Sequence, residues 1–221
     1  MAMLVLFFIV FIGILFAVSI YVYDNSQFSK ITGHSFISVQ TNKEVRFLYK
    51  LAKNLKKVDG DNQLLFNIDL PQSEWKIDCI FLHESGIYVI NAKYSSGWIY
   101  GDDQDIKWAQ ALENGKMNKF PNPIIENKLK IQEVKKAIPE VREDLYQSLV
   151  VFNNDCSFKK IELHSEDVDV LKIDELKAFF ENRIDSALTK NEIISIHSKI
   201  EPYMVKKQPK EKAALKDETL S

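Results

Sequence analysis

Three residues with chemistry to offer, Asp78, Asn91 and Lys93, fall on two short apolar runs where polar side chains are out of place. The runs, Lys76-Ile-Asp-Cys-Ile-Phe-Leu-His83 and Ile87-Tyr-Val-Ile-Asn-Ala-Lys93, are rich in β-branched and aromatic residues and are joined by Glu84-Ser-Gly86. That is the pattern of a β-hairpin. A turn centred on Glu84 and Ser85 sets Asp78 opposite Asn91, whereas a three-residue loop would shift the register. Strand alternation then places Asn91 and Lys93 on one face and Ala92 on the other, so that a carboxylate, a carboxamide and an ammonium converge. Magnesium prefers an octahedron of oxygens, and Asp78, Asn91 and the backbone carbonyl of Ala92 supply three. A lysine beside such a site can orient water for in-line attack on a phosphodiester. The competing reading is structural: Asp78 and Lys93 pair at a sheet end and Asn91 caps a strand.

More of the chain bears on this choice. Glu44 opens a first helix, Ile77-Asp78 lies on a strand, and Gly86 to Lys93, Gly97-Trp-Ile-Tyr-Gly101, Trp108, Asn122-Pro123 and Leu149-Val-Val-Phe152 follow in order. From Thr41 to about Pro202 the sequence resembles the nuclease-related domain (NERD) family, a branch of the PD-(D/E)XK nuclease superfamily. The resemblance implies an α/β, restriction-endonuclease-like core, a mixed central sheet flanked by helices, with Glu44, Asp78 and Lys93 as active-site residues. It also implies Mg2+ or Mn2+ as cofactor and nucleic acid, DNA first, as partner. The family's Glu-x-Lys reads Asn91-Ala92-Lys93 here, so the site loses a negative charge and should hold a divalent ion less tightly. Lys43 stands where a glycine is usual, and Glu126 where a glutamine is expected. Glu126 could return the missing carboxylate from a neighbouring helix, or could serve only the helix dipole. The implied ligand set is Asp78, Asn91 and the Ala92 carbonyl, with Glu44 or Glu126 in addition.

The elements that must position these groups follow an apolar N-terminus. No charged residue occurs from Ala2 to Tyr23, and Leu4 to Val22 approaches the ~20 residues of a bilayer span. Residues 1–23 read as one transmembrane anchor, in competition with a cleavable signal peptide whose small-residue site would be Ala17-Val18-Ser19. Lys30 and Lys43 follow the span and no Lys or Arg precedes it, which places the C-terminal domain in the cytoplasm. Cys79 in the core strand and Cys156 in a later loop form no disulfide framework, and His34, His83, His164 and His197 show no ligand spacing.

Residues 24–40 read as a juxtamembrane connector, 41–203 as the nuclease-related domain, and 204–221 as a disordered charged tail. Within the domain an amphipathic helix covers Glu44 to Lys57, and strands cover Leu64 to Leu70, Trp75 to Leu82 and Ile87 to Lys93. A hairpin runs through Trp98 to Tyr100 and Ile106 to Trp108. A helix runs from Pro123 to about Ile138, a buried strand spans Gln147 to Phe152, and closing helices span Ile173 to Ile184 and Glu192 to Ile200. Twenty-nine basic residues against thirty-one acidic give a net charge of −2, so no global field draws the chain to nucleic acid. Affinity must be local: Arg46, Lys50, Lys53 and Lys57 form a stripe beginning beside Glu44, and Lys128, Lys130, Lys135 and Lys136 form a second cluster. Either can equally be a solvated helix face. With no Gly-x-Ser-x-Gly elbow and no phosphate-cradling glycine loop, acyl transfer and nucleotide hydrolysis are poor fits. Two functions remain: a membrane-anchored, metal-dependent nuclease weakened by Asn91, or a catalytically inactive nuclease-fold module binding nucleic acid or a protein partner at the membrane.

Overall fold

In the computed structural model, which describes residues 1–71, 73–183 and 186–205, the uncharged N-terminal run forms a single helix, α1 (Ala2–Asp24). Its stretch Met3–Asp24 has 22 residues and is long and apolar enough to cross a membrane, a test that a signal sequence also passes. At 1.5 Å per residue it covers about 33 Å, the thickness of a hydrocarbon core. The segment expected to be a plain connector contains two short helices, α2 (Gln27–Thr32) and α3 (Phe36–Thr41). Each starts at a serine whose hydroxyl accepts a backbone N–H three residues on, Ser26 from Ser29 and Ser35 from Ser38. Tyr23 Oη donates to the His34 carbonyl at 3.0 Å, and the Phe36 ring packs edge-on against Phe16 and Tyr23. These elements belong to a unit spanning Met1–Arg46; a second unit spans Phe47–Val205. The tail expected from Lys206 lies outside the described residues.

Helix α4 (Lys43–Leu55) begins where Asn42 Oδ1 accepts the N–H groups of Glu44 and Val45, and it buries Phe47, Leu51, Ala52 and Leu55. The chain then runs β1 (Asn62–Asp69), β2 (Lys76–His83), β3 (Gly86–Lys93), β4 (Gly97–Asp102), β5 (Lys107–Ala111), β6 (Met117–Pro121) and α5 (Pro123–Ala137). It continues through β7 (Tyr146–Phe152), β8 (Cys156–Glu162), β9 (Val168–Lys172), α6 (Leu176–Glu181) and α7 (Lys190–Ile200). One sheet has the order β1-β2-β3-β7-β9 and the other β6-β5-β4-β8. Both are mixed: β1, β2 and β3 are antiparallel while β7 and β9 join in parallel, and β8 is parallel to β4.

The β2–β3 hairpin has the two-residue turn read from the sequence. His83 pairs with Gly86, Ile80 with Val89 and Cys79 with Ile90, and one further step sets Asp78 against Asn91. Gly86 has φ 147°, and a Cβ there would meet the Leu145 carbonyl oxygen at 3.0 Å, so only glycine suits the bend. The faces of this sheet differ. Ile80, Leu82, Ile87 and Val89 pack with Val134 and Ile138 at the α5 end and with Ile193, Ile196 and Ile200 of α7. On the opposite face the Phe81 and Tyr88 rings meet Phe180 of α6 edge-on, at 5.1 and 4.8 Å. A separate cluster of Ile99, Trp108, Ile124, Val150, Phe152, Cys156 and Val168 ties the second sheet to β7 and α5.

This is the expected α/β class with helix-flanked mixed sheets after one apolar helix, but the second sheet is larger than the single hairpin read from the sequence. Cys156, assigned to a loop, opens β8 and is buried, its Sγ donating to the Asn153 carbonyl. The closing helix expected over Ile173 to Ile184 is reduced to α6, its start delayed because the Ile173 N–H is held by the Phe152 carbonyl at the end of β7; Ile184 lies outside the described residues.

Candidate active site

The polar ends of β2 and β3 meet under the first turns of α5. Asn122 seats that helix: its Oδ1 accepts the Ile124 N–H at 2.9 Å, while its Nδ2 donates to the carbonyls of Asp102, Asp103 and Asp105 in the β4–β5 turn. Pro123 takes the first helical position, where its missing N–H costs nothing. One turn further on, the buried Asn127 donates to the Val89 carbonyl at 2.7 Å and to Ser148 Oγ at 3.0 Å. With α5 pinned to both sheets, Glu126 and Lys130, four apart and therefore on one face, point at the hairpin.

Asp78, Asn91, Lys93, Glu126 and Lys130 make one hydrogen-bonded group. Asn91, 1% exposed, donates from Nδ2 to the Pro123 carbonyl at 2.9 Å and to Glu126 Oε2 at 3.3 Å, and its Oδ1 accepts from Lys130 Nζ at 3.1 Å. Two acceptors on one side and a donor on the other leave a single sensible orientation for the carboxamide. Glu126 Oε2 also accepts from Lys93 Nζ at 2.5 Å. Lys130 Nζ reaches Asp78 Oδ2 at 3.2 Å, and the same oxygen accepts the Ala92 N–H at 3.3 Å. Asp78, Asn91 and Lys93 thus converge as the strand register indicated, and Glu126 lies among them. Lys93 pairs with Glu126 and not with Asp78, contrary to the simple sheet-end pair. The sequence offers Lys130 only as part of a basic cluster; its i, i+4 spacing from Glu126 puts the two on one helix face but does not say which way that face points. Two carboxylates and two ammonium groups leave the cluster with no net charge.

Other expected residues are placed differently. Glu44 opens α4 within the Met1–Arg46 unit, and Arg46 of the same unit spends its guanidinium on the carbonyls of Val39 and Gln40. In the second unit the Phe47 ring packs on Tyr94, next to Lys93, with centroids 6.4 Å apart. Lys57, just beyond α4, lines a cavity with His83 and Glu84 at the turn end of the hairpin, so within the second unit the segment from Phe47 to Lys57 runs from the polar end of the hairpin to its turn. Lys53 Nζ stands 5.6 Å from the Tyr49 ring centroid, and Lys50 is exposed. Burial, with the Asp78 carboxylate alongside, pushes the Cys79 thiol well above its usual range, which leaves it no nucleophile.

A second acidic cluster escaped the sequence reading because its members are far apart in the chain. Ligand-capable atoms of Asp102, Asp103 and His164 lie within 4.8 Å of one another and could hold a metal ion. Asp103 Oδ2, however, already accepts the N–H groups of His164 and Ser165. Burial raises the Asp103 carboxyl, but bonds from Ser165 and His164 outweigh it and hold the group below its ordinary value. Its evident task is to fasten the segment after β8 to the β4–β5 turn. For the hairpin cluster, two carboxylates and a carboxamide oxygen are all-oxygen donors that fit a hard divalent ion in kind.

The fold is an α/β architecture whose mixed sheet carries a central hairpin ending in a carboxylate–lysine cluster beneath a helix N-terminus. The chain belongs to the nuclease-related domain family, whose model matches residues 40–153, and through it to the PD-(D/E)XK superfamily. It is 29% identical over 156 residues to an uncharacterized protein of Bacillus anthracis, covering 68% of this chain and 72% of that one. No solved structure gives a significant match. Membership supports a nuclease-like function and suggests divalent metal use.

Proposed function

We propose that this protein is a membrane-anchored nuclease that hydrolyses phosphodiester bonds of nucleic acid, DNA before RNA, with Mg2+ or Mn2+. Residues 1–23 serve as the single-pass anchor, 24–40 as connector, 41–203 as the catalytic domain facing the cytoplasm, and 204–221 as a tail. The observation that carries the reading is Glu126 within hydrogen-bond reach of both Asn91 and Lys93, because it restores from α5 the carboxylate that β3 lacks. Asp78, Glu126, Asn91 Oδ1 and the Ala92 carbonyl would hold the ion, with Glu44 as a further candidate. A bound dication supplies acidified water and neutralises charge on the phosphate in the transition state. Lys93, tied to Glu126 at the rim of the cluster, would orient the attacking water through its ammonium, and Lys50 and Lys53 of α4 with Lys57 just beyond it would guide the phosphate backbone, Arg46 adding only its charge because its guanidinium is held by the Val39 and Gln40 carbonyls.

The charge balance created by Lys130 favours a second reading, a module that binds nucleic acid or protein without hydrolysis. Both are tested on the full chain in detergent with single- and double-stranded DNA and RNA, with and without Mg2+ or Mn2+. The nuclease reading expects metal-dependent cleavage that Asp78→Ala and Lys93→Ala each abolish. Binding without cleavage by the parent at any metal concentration would overturn hydrolysis. Anchoring expects the chain to stay in the membrane pellet after high-salt and alkaline washes; release by either would overturn it.

A further inference from the structure

Lys130 is buried to 6% residual exposure yet carries a charge, and burying an ammonium is costly unless strong acceptors meet it. Its acceptors are Asp78 Oδ2 at 3.2 Å and Asn91 Oδ1 at 3.1 Å, which are the two side-chain oxygens through which β2 and β3 would contact a divalent ion. Oxygens aimed at one point accept one cation there. A magnesium ion held at its usual ~2.1 Å from these oxygens would lie against the Lys130 nitrogen, and two like charges in contact in a poorly solvated pocket repel strongly. Lys130 reaches the position from α5, whose seat is fixed by Asn122 and Asn127, so the ammonium can leave only by rotating its own flexible side chain.

We propose that Lys130 is a resident counter-cation of this site and competes directly with the divalent ion for the Asp78 and Asn91 oxygens, so that metal entry and withdrawal of the ammonium are one exchange. The proposal rests on the reading above only in taking those oxygens as metal donors. It assigns the weak metal binding expected of this chain to Lys130 as much as to the neutral Asn91. It also gives the site a resting state that is folded and charge-balanced without metal.

Metal binding is measured by calorimetry with Mn2+ on the full chain in detergent, with circular dichroism as the check of folding. Lys130→Met should bind Mn2+ more tightly than the parent by roughly tenfold or more, since removal of one like charge in contact is worth at least that factor. Lys130→Arg, which keeps the charge, should stay near the parent. The gain should vanish when Asp78→Ala is added to Lys130→Met. Equal affinity of Lys130→Met and parent, absence of binding in both, or a gain that survives Asp78→Ala and therefore arises elsewhere, such as at Asp102, Asp103 and His164, would each overturn the proposal. Should Lys130→Met not fold, acylation of the Lys130 amine in the parent, quantified by mass spectrometry, decides the matter: saturating Mn2+ should raise labelling severalfold, and unchanged labelling overturns the exchange. Failure of the parent to cleave nucleic acid would count against the hydrolytic reading and leave this measurement unaffected.

Discussion

Replacing Asn91 by the isosteric aspartate probes how amide and carboxylate are shared between β3 and α5. The new oxygen would take the place of Nδ2, 3.3 Å from Glu126 Oε2 and 2.9 Å from the Pro123 carbonyl. Repulsion from Glu126 at that distance is worth about 5 kcal/mol at an effective dielectric of ~20, and attraction to Lys130 at 3.1 Å is of the same size and opposite sign. What survives the cancellation is the loss of both donated hydrogen bonds and an oxygen facing the Pro123 carbonyl, about 2–4 kcal/mol. Glu126→Gln alone removes the charged partner of Lys93 and should cost ~1–2 kcal/mol. The double variant exchanges the two groups, since the amide introduced on α5 can donate to the carboxylate introduced on β3, and it should be more stable than Asn91→Asp by at least ~2 kcal/mol. Urea unfolding of the full chain in detergent, followed by the fluorescence of the buried Trp108, measures all four corners of the cycle. A double variant no more stable than Asn91→Asp would show that Glu126 does not share a site with residue 91.

Two further outcomes are expected. Lys50→Ala with Lys53→Ala should weaken nucleic-acid binding alike for all sequences and flatten its log-log salt dependence by about one unit per lost duplex contact; unchanged titrations would leave α4 a solvated face. Asn122→Ala removes two amide donors shared among three carbonyls and a helix cap and should cost ~2–4 kcal/mol in urea unfolding, and Asn122→Asp, which keeps only the cap, should recover no more than ~1–2 of it; full recovery would mean that the carbonyl clamp contributes nothing.

How much of this was legible in the sequence depended on the range of the interaction. The pairing of Asp78 with Asn91 could be read because a tight turn fixes register and period-two alternation fixes faces, both local properties. The α5 boundaries followed from Asn122-Pro123 and Pro139. Lys130 could not be placed in the same way, because its role depends on how α5 is rotated on the sheet, and that is set by Asn127 reaching Val89 and Ser148 from far along the chain. The strands β6, β8 and β9 were missed for a related reason. Met117–Pro121 ends in proline, Cys156–Glu162 contains Lys159-Lys160 and Val168–Lys172 alternates with Asp169, so these strands form by joining neighbours and owe little to intrinsic propensity.

The clamp made by Asn122 carries a consequence for how this domain can vary. Turns between antiparallel strands are ordinarily the places where a chain tolerates insertion and drift. Here the carbonyls of Asp102, Asp103 and Asp105 aim the helix that carries Glu126 and Lys130. A residue added to or lost from that turn would tilt the helix axis, and the lever arm of one helical turn would carry the error straight to the hairpin. The β4–β5 turn is therefore a gauge that sets the spacing of acidic and basic groups more than twenty residues away in sequence, and a change in its length would disturb the cluster as directly as a change in those groups.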